Sequence, residues 1–325
     1  MTLNSLDRLL TTLDVQLHAF AVCEVAEGSR LVFAPMNVVV VHYVLSGTGT
    51  IEVNGSTRAP IEAGCIVIVP PGRKQGLNAG GNATRDIQAE ENCATTVDGL
   101  IKFDAAGGAK GDLRVICSTF SATFGGSFGL FDSLVAPIVD DATDLPVVRG
   151  AFEALAVERS KPDIGTHALC GALMKQCLIL LIRRHLHRGS VSTPFFASLA
   201  DPRLTAAVAL VLEMPGARLT VAELAGAAGM SRTAFSKTFA EAFAQTPMDF
   251  VQKTRLHRAA QLLASTELPV KVIAASMGFA SRSHFSRAFS RAYSADPTKY
   301  RKHHDRNAIE APSSSGRSWL SKITE

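Results

Sequence analysis

The stretch Ser231-Arg232-Thr233-Ala234-Phe235-Ser236-Lys237-Thr238-Phe239 returns fifty positions later as Ser281-Arg282-Ser283-His284-Phe285-Ser286-Arg287-Ala288-Phe289. Phe243 then matches Tyr293, and Pro247 matches Pro297. A repeat at fixed offset marks one structural unit used twice. Each copy follows a short alanine-rich segment that predicts a helix. These are residues 221–228, holding Leu224-Ala225, and residues 270–277, holding Ile273-Ala274. Gly229-Met230 and Gly278-Phe279-Ala280 read as the turns between. A helix, a tight turn containing glycine and a second helix opened by a serine N-cap form the helix-turn-helix plan.

The second helices sort cleanly by face. Phe235, Phe239 and Phe243 recur every four residues, as do Phe285, Phe289 and Tyr293, which places each set on one buried side. The other face carries Arg232, Thr233, Ser236 and Lys237 in the first copy. In the second it carries Arg282, Ser283, His284, Ser286, Arg287 and Arg291. Such side chains donate hydrogen bonds to base edges and phosphates. A solvated basic face on a helical bundle explains one such helix. Two copies with matched turns, caps and faces go beyond it.

Charge follows the same division. The chain of 325 residues has a net charge of +4. Residues 1–199 carry −3, residues 200–303 carry +7, and residues 304–325 are neutral. A near-neutral module joined to a basic one is predicted, and the basic one suits nucleic acid. With 47% hydrophobic and 19% charged residues the chain can build a core. Met1 to Val15 lacks a signal-peptide plan, and the longest mid-chain apolar run, residues 177–182, is far short of the ~20 residues that span a bilayer. A soluble, cytoplasmic, nucleoid-associated protein with no membrane partner is the expectation.

Residues 200–302 resemble the DNA-binding domain of the AraC/XylS family of transcription regulators. The resemblance rests on Leu224-Ala225 to Met230-Ser231, on Arg255-Leu256-His257-Arg258-Ala259 with Leu262-Leu263, and on Ile273-Ala274, Gly278-Phe279, Ser281, His284-Phe285-Ser286-Arg287 and Phe289. It closes with Pro297, Tyr300 and Arg301. Ser294 stands where the family usually has glycine at the end of the recognition helix. The resemblance implies two helix-turn-helix units held by the helix around residues 249–264. They would enter successive major grooves about 34 Å apart. The DNA-binding residues it implies are Arg232, Thr233, Ser236, Lys237, Arg282, Ser283, His284 and Arg287.

The first part of the chain has another texture. Residues 18–130 read as strands and turns: an apolar stretch at 31–43, turn signals at Ser46-Gly47-Thr48-Gly49 and Asn54-Gly55, the run Cys65–Val69 ending in Pro70-Pro71-Gly72, then residues 98–103 and 113–117. Residues 41–49 and 62–72 are similar to a cupin jelly-roll, most of all to the cupin domains found ahead of AraC-type DNA-binding domains. Residues 146–159 and 166–187 have helical periodicity. The fold class is therefore mixed. An N-terminal all-β cupin barrel (1–130) is followed by a helical dimerisation or connector region (131–190) and a linker (191–199). A C-terminal all-α double helix-turn-helix domain (200–303) and a disordered tail (304–325) complete it.

Metal-dependent cupins use several histidines and a glutamate around one barrel site. Here Cys65 and Arg73-Lys74-Gln75-Gly76 replace residues that such sites often use, and only His18 and His42 precede His167. No metal, no cofactor and no catalytic residue is expected, and a strand histidine satisfied by a hydrogen bond is favoured for His42 over a ligand role. A cupin enzyme with a helical accessory domain lacks its histidines, and a DNA-packaging protein would need no barrel. What remains is a small-molecule effector, with His42, Tyr43 and Gln75 as candidates near the barrel mouth. The alternative input is thiol oxidation at Cys23, Cys65 or Cys93, with Arg73 and Lys74 as cations that lower a thiol pKa. Otherwise the six scattered cysteines are expected to be free thiols. The apolar stripe of Leu173, Cys177, Leu180, Leu181 and Ile182 is either core or a dimer face. The expected partners are double-stranded operator DNA, a small-molecule effector, a second copy of the chain and, for an activator, RNA polymerase.

Overall fold

The computed structural model describes residues 2–188 and 201–302, apart from 82, 96–99, 126–127, 132–133, 135 and 244. The expected linker at 191–199 and the tail at 304–325 lie outside the described residues. The chain groups into two compact units. One holds Val15–Ser121 and Leu134–Arg183; the other holds Met1–Asp14, Ala122–Ser133 and the C-terminal helices from Arg184 on. These are not the boundaries 1–130 and 131–190 expected above. The first residues and the 122–133 segment pack with the C-terminal helices, and most of the 131–190 region packs with the strands.

After α1 (Thr2–Thr11) come the strands β1 (Leu13–Val25), β2 (Ser29–Phe33), β3 (Val39–Ser46), β4 (Thr48–Val53), β5 (Thr57–Glu62), β6 (Cys65–Val69) and β7 (Gln75–Ala79). Then follow β8 (Arg85–Gln88), β9 (Cys93–Thr95), β10 (Ile101–Ala105), β11 (Leu113–Phe124), β12 (Phe128–Gly129) and β13 (Ile138–Asp141). One sheet has the order β13-β6-β3-β11-β1-β10-β9, with β12 on β11; the second has the order β5-β4-β7-β2-β8. Successive side chains of a strand point to opposite faces. The inward set is accordingly Ala21, Cys23 and Val25 on β1, Val40 and Val44 on β3, Val67 and Val69 on β6, and Val115 and Cys117 on β11. Leu31, Ile51 and Leu77 come from the second sheet. The apolar stretch at 31–43 is two strands, not one. Pro35, which has no N–H for a ladder, falls in the crossing from β2 in the second sheet to β3 in the first.

β3 is buried on both faces because its outer side is also covered. Tyr43, facing outward, stacks on Phe152 of α2 (Pro146–Ser160) with ring centroids 4.4 Å apart and 2° between planes. The turn between β3 and β4 admits only glycine at position 47: φ is +90° and a Cβ would lie 1.9 Å from the Asp112 carbonyl oxygen. α3 (Thr166–His187) is long and apolar enough to cross a membrane by composition. Cys170, Met174, Cys177, Leu178, Leu181 and Ile182 are instead buried in the protein, while Leu173 and Leu180 are half-buried. Most of the apolar stripe read from the sequence is thus core.

The second unit carries α4 (Pro202–Glu213), α5 (Val221–Ala227), α6 (Arg232–Phe243), α7 (Pro247–Ser265), α8 (Val270–Ser276) and α9 (Arg282–Tyr293). The two serine caps of the repeat are where the sequence predicts them, and two further helices are capped in the same way. Asp201, Ser231, Thr246 and Ser281 each accept a hydrogen bond from a backbone N–H two or three residues on, and Thr220 with Glu223 forms a reciprocal capping box. In the same unit α1 packs on α4, with Leu9 and Leu10 buried. Arg8 Nε donates to Glu213 at 2.6 Å.

Candidate functional site

Both turns of the repeat close in the same way. The N–H of Met230 donates to Ala225 at 2.9 Å, and that of Phe279 donates to Ala274 at 3.0 Å. Gly229 and Gly278 sit at φ +62° and +74° between them, the left-handed C-terminal stop that glycine adopts without strain. The second turn is one residue longer. The first helices are therefore offset by 49 positions and the second helices by 50.

The cores match ring for ring. Phe235 and Phe239 pack with centroids 5.4 Å apart at 54°, and Phe285 and Phe289 pack at 5.4 Å and 53°. Both pairs are fully buried. α7 lies against α5, α6, α8 and α9, so both units hang on one helix. Arg255 of α7 donates to the carbonyls of Pro215 and Ala217 at 2.8 and 2.7 Å. Gly278 lets the loop approach, since a Cβ there would lie 2.7 Å from the Gly216 carbonyl oxygen. Arg301 donates to the Leu268 carbonyl at 2.5 Å. Sequence reasoning placed Arg255 and Arg301 in the motif without giving them these roles.

With the phenylalanines turned inward, Arg232, Thr233 and Lys237 on α6 are exposed, as are Arg282, Ser283, His284, Arg287 and Arg291 on α9. Ser236 and Ser286 are half-buried at the edge of each face. α9 ends at Ser294 in the left-handed conformation, φ +52°. The structure thus keeps the helix stop with serine in place of glycine.

The barrel candidates divide. Tyr43 points away from the interior, against α2, and does not join the other two. His42 and Gln75 do meet, but inside the sandwich and not at a mouth: His42 Nε2 lies 2.6 Å from Gln75 Oε1, and both residues are buried. Gln75 comes from the second sheet and His42 from the first, so the bond bridges the two sheets. On its other side His42 Nδ1 lies 3.1 Å from Cys117 Sγ. Burial lowers the His42 pKa to about 4, against a weaker upward pull from Gln75. The imidazole is neutral at physiological pH.

The free-thiol expectation fails at one place. Cys23 and Cys117 form a disulfide across neighbouring strands β1 and β11, with Cα atoms 6.7 Å apart. Cys117 was missed because its place beside β1 is a matter of strand order, which sequence spacing does not carry. Cys65 and Cys93 are free. Burial raises both thiol pKa values, and for Cys65 the nearby Asp141, Glu62 and Asp140 carboxylates add to the rise. Arg73 and Lys74 are not among the causes acting on either, so neither thiol is activated as the redox reading required. A cavity of about 280 Å³ is lined by Arg30, Val32, Glu52, Lys74, Gln75 and Gly76. Arg30, Val32 and Glu52 alternate with the inward Leu31, Ile51 and Val53, so this cavity opens over the outer face of the second sheet. Arg30 is held there by Glu52 at 3.1 Å and Asp86 at 2.6 Å.

Comparison with known proteins gives two family matches. Residues 4–187 match the cupin family and residues 224–303 a helix-turn-helix domain family. The chain is 32% identical over 190 residues to the RCS-specific HTH-type transcriptional activator RclR of Escherichia coli (strain K12), covering 58% of this chain and 67% of that one. It is 27% identical to the HTH-type transcriptional regulator MtrA of Neisseria gonorrhoeae, over 81% of this chain and 85% of that one. A Streptomyces antibioticus protein named as an AraC-like transcription regulator is 28% identical over 93% of this chain and 99% of its own.

Proposed function

Because the chain belongs to the AraC-type transcription regulators that carry an N-terminal cupin domain, we propose that it reads its operator with α6 and α9 in two successive major grooves. Arg232, Thr233, Ser236 and Lys237 face the DNA from α6, and Arg282, Ser283, His284 and Arg287 from α9. The observation that carries this reading is the pair of matched helices with their aromatic faces buried and basic, hydroxyl-rich faces exposed. Arginine and histidine suit base edges and phosphates; serine and threonine position the helix on the backbone. A homodimer doubles the reading helices, and contact with RNA polymerase follows if the protein activates.

The cupin unit serves in this proposal as the sensor, not as an enzyme. A small molecule bound by that unit is the first candidate input, and the outer-face cavity beside Arg30 and Lys74 is large enough for a small polar metabolite. Oxidation of N-terminal cysteines is the second, favoured by the observed disulfide. Selection of bound duplexes from a random pool, with and without a metabolite extract, tests the reading. Enrichment of one bipartite site is expected. Binding without sequence preference refutes it.

A further inference from the structure

In the sandwich interior, among mostly apolar side chains, His42 meets Gln75 on one side and the Cys117 sulfur on the other. Burying polar side chains costs free energy unless each is hydrogen-bonded. Gln75 Oε1 accepts from His42 Nε2–H at 2.6 Å, which leaves Nδ1 as an unprotonated acceptor aimed at Cys117 Sγ 3.1 Å away. A disulfide sulfur has no hydrogen to give that acceptor. A Cys117 thiol does. The polar group is therefore complementary to the reduced pair, while the strand geometry accommodates the oxidised one. A purely structural disulfide needs no neighbouring imidazole held in place by a glutamine of the opposite sheet.

We propose that Cys23 and Cys117 are a reversible redox switch, with His42 as the base that takes the Cys117 thiol proton and Gln75 as the residue that positions His42. The proposal rests on the reading of the protein as a DNA-binding regulator and supplies its input. Burial of Cys23 (0% exposed) and Cys117 (6% exposed) selects a small uncharged oxidant of the hydroperoxide class over a bulky disulfide reagent. In the first step Nδ1 accepts the thiol proton and the Cys117 thiolate attacks the peroxide. The O–O bond breaks, Cys117 becomes a sulfenic acid, and the leaving oxygen departs as water with the proton from His42. In the second step Cys23 sulfur attacks Cys117 Sγ, and the S–O bond breaks. Hydroxide leaves as water with the Cys23 proton. Two thiols lose two electrons, and one hydrogen peroxide becomes two waters.

The output also has a place in the chain. β1 and β11, the strands joined by the disulfide, carry the chain across the division between the two units, at residues 14/15 and 121/122. The disulfide ties two strands whose ends continue across these divisions into the unit that holds the helix-turn-helix pair.

The test uses the full-length protein, reduced with dithiothreitol and then treated with hydrogen peroxide at pH 7, with differential alkylation and peptide mass mapping. Formation of the Cys23–Cys117 pair, its reversal by dithiothreitol and a changed affinity for the selected operator are expected. His42→Gln should slow the oxidation about tenfold or more, as loss of a general base does, and the deficit should shrink at pH 9.5, where more abundant hydroxide can stand in for the missing base. A pair that resists reduction in the folded protein overturns the switch. Equal rates for His42→Gln and the parent at both pH values overturn the role of His42. An operator affinity identical in both redox states overturns the coupling, while no operator binding in either state overturns the regulator reading itself. Cys117→Ser, which keeps the volume and removes the chemistry, should bind operator in one state only, untouched by peroxide.

Discussion

Lowering the pH should loosen the cupin unit through one residue. His42 is wholly buried and its pKa is lowered from 6.5 to about 4. The groups facing it are the Cys23–Cys117 disulfide, neutral Gln75 and the Phe33 ring at 5.9 Å. A histidine depressed in the folded state takes its proton in the unfolded chain first. Stability is therefore intact above pH 6.5 and falls as the pH drops toward 4, below which this group adds no further slope. A gap of about 2.5 pH units at about 1.4 kcal/mol each gives a loss on the order of 3 kcal/mol. Hydrogen exchange of the β3 and β11 amides in the oxidised protein, at a series of pH values, reads this directly once corrected for intrinsic rates. His42→Gln, which does not titrate, isolates the contribution from that of the carboxylates, so its loss across the window should be smaller by that amount. An NMR titration placing His42 near 6.5, or the same acid sensitivity in His42→Gln, would refute the argument.

Three further outcomes follow from the helical unit. Arg287→Ala should weaken operator binding and reduce the slope of log K against log salt by about 0.9, the share of one phosphate contact; an unchanged salt titration would remove Arg287 from the interface. Ser294→Gly should stabilise the end of α9 by about 1 kcal/mol, because serine at φ +52° carries a strain that glycine does not, and urea denaturation of the DNA-binding unit would show it. Phe285→Ala should cost about 3–5 kcal/mol, since its fully buried ring packs on Phe279 and Phe289 at 5.2 and 5.4 Å; a loss below about 1 kcal/mol would mean that the second core is not the one described.

The repeat was legible because everything that specifies it is local. Serine caps, phenylalanines four apart and glycine turns all act within one turn of a helix, and each appears in the structure at its predicted place. The strands were legible as strands for the same reason, through alternation and turn residues. What sequence could not supply was which strand lies beside which. Cys23 and Cys117 are 94 residues apart, and only the order β11-β1 makes them neighbours. His42 and Gln75 were singled out as candidates at the barrel mouth, whereas the structure buries them against each other, a meeting that depends on two sheets facing each other. Tyr43, one residue from His42, lies on the opposite face by the two-residue period of a strand, so proximity in sequence misled. The grouping of α1 with the C-terminal helices was equally hidden, since a ten-residue amphipathic helix does not say what it will cover.

One consequence of α7 concerns the grammar of the operator. This helix has 19 residues and is thus ~28 Å long, close to the ~34 Å rise of one DNA turn. It holds a helix-turn-helix unit toward each end with no hinge in between, so under the proposed function it fixes the separation of the two reading helices. A reader joined by a flexible tether tolerates half-sites at varied separations. One built on a single rod does not. Inserting one base pair between the two subsites would turn one of them by roughly 35° and push it about 3.4 Å away. The spacing between the subsites then carries as much information as the bases within them.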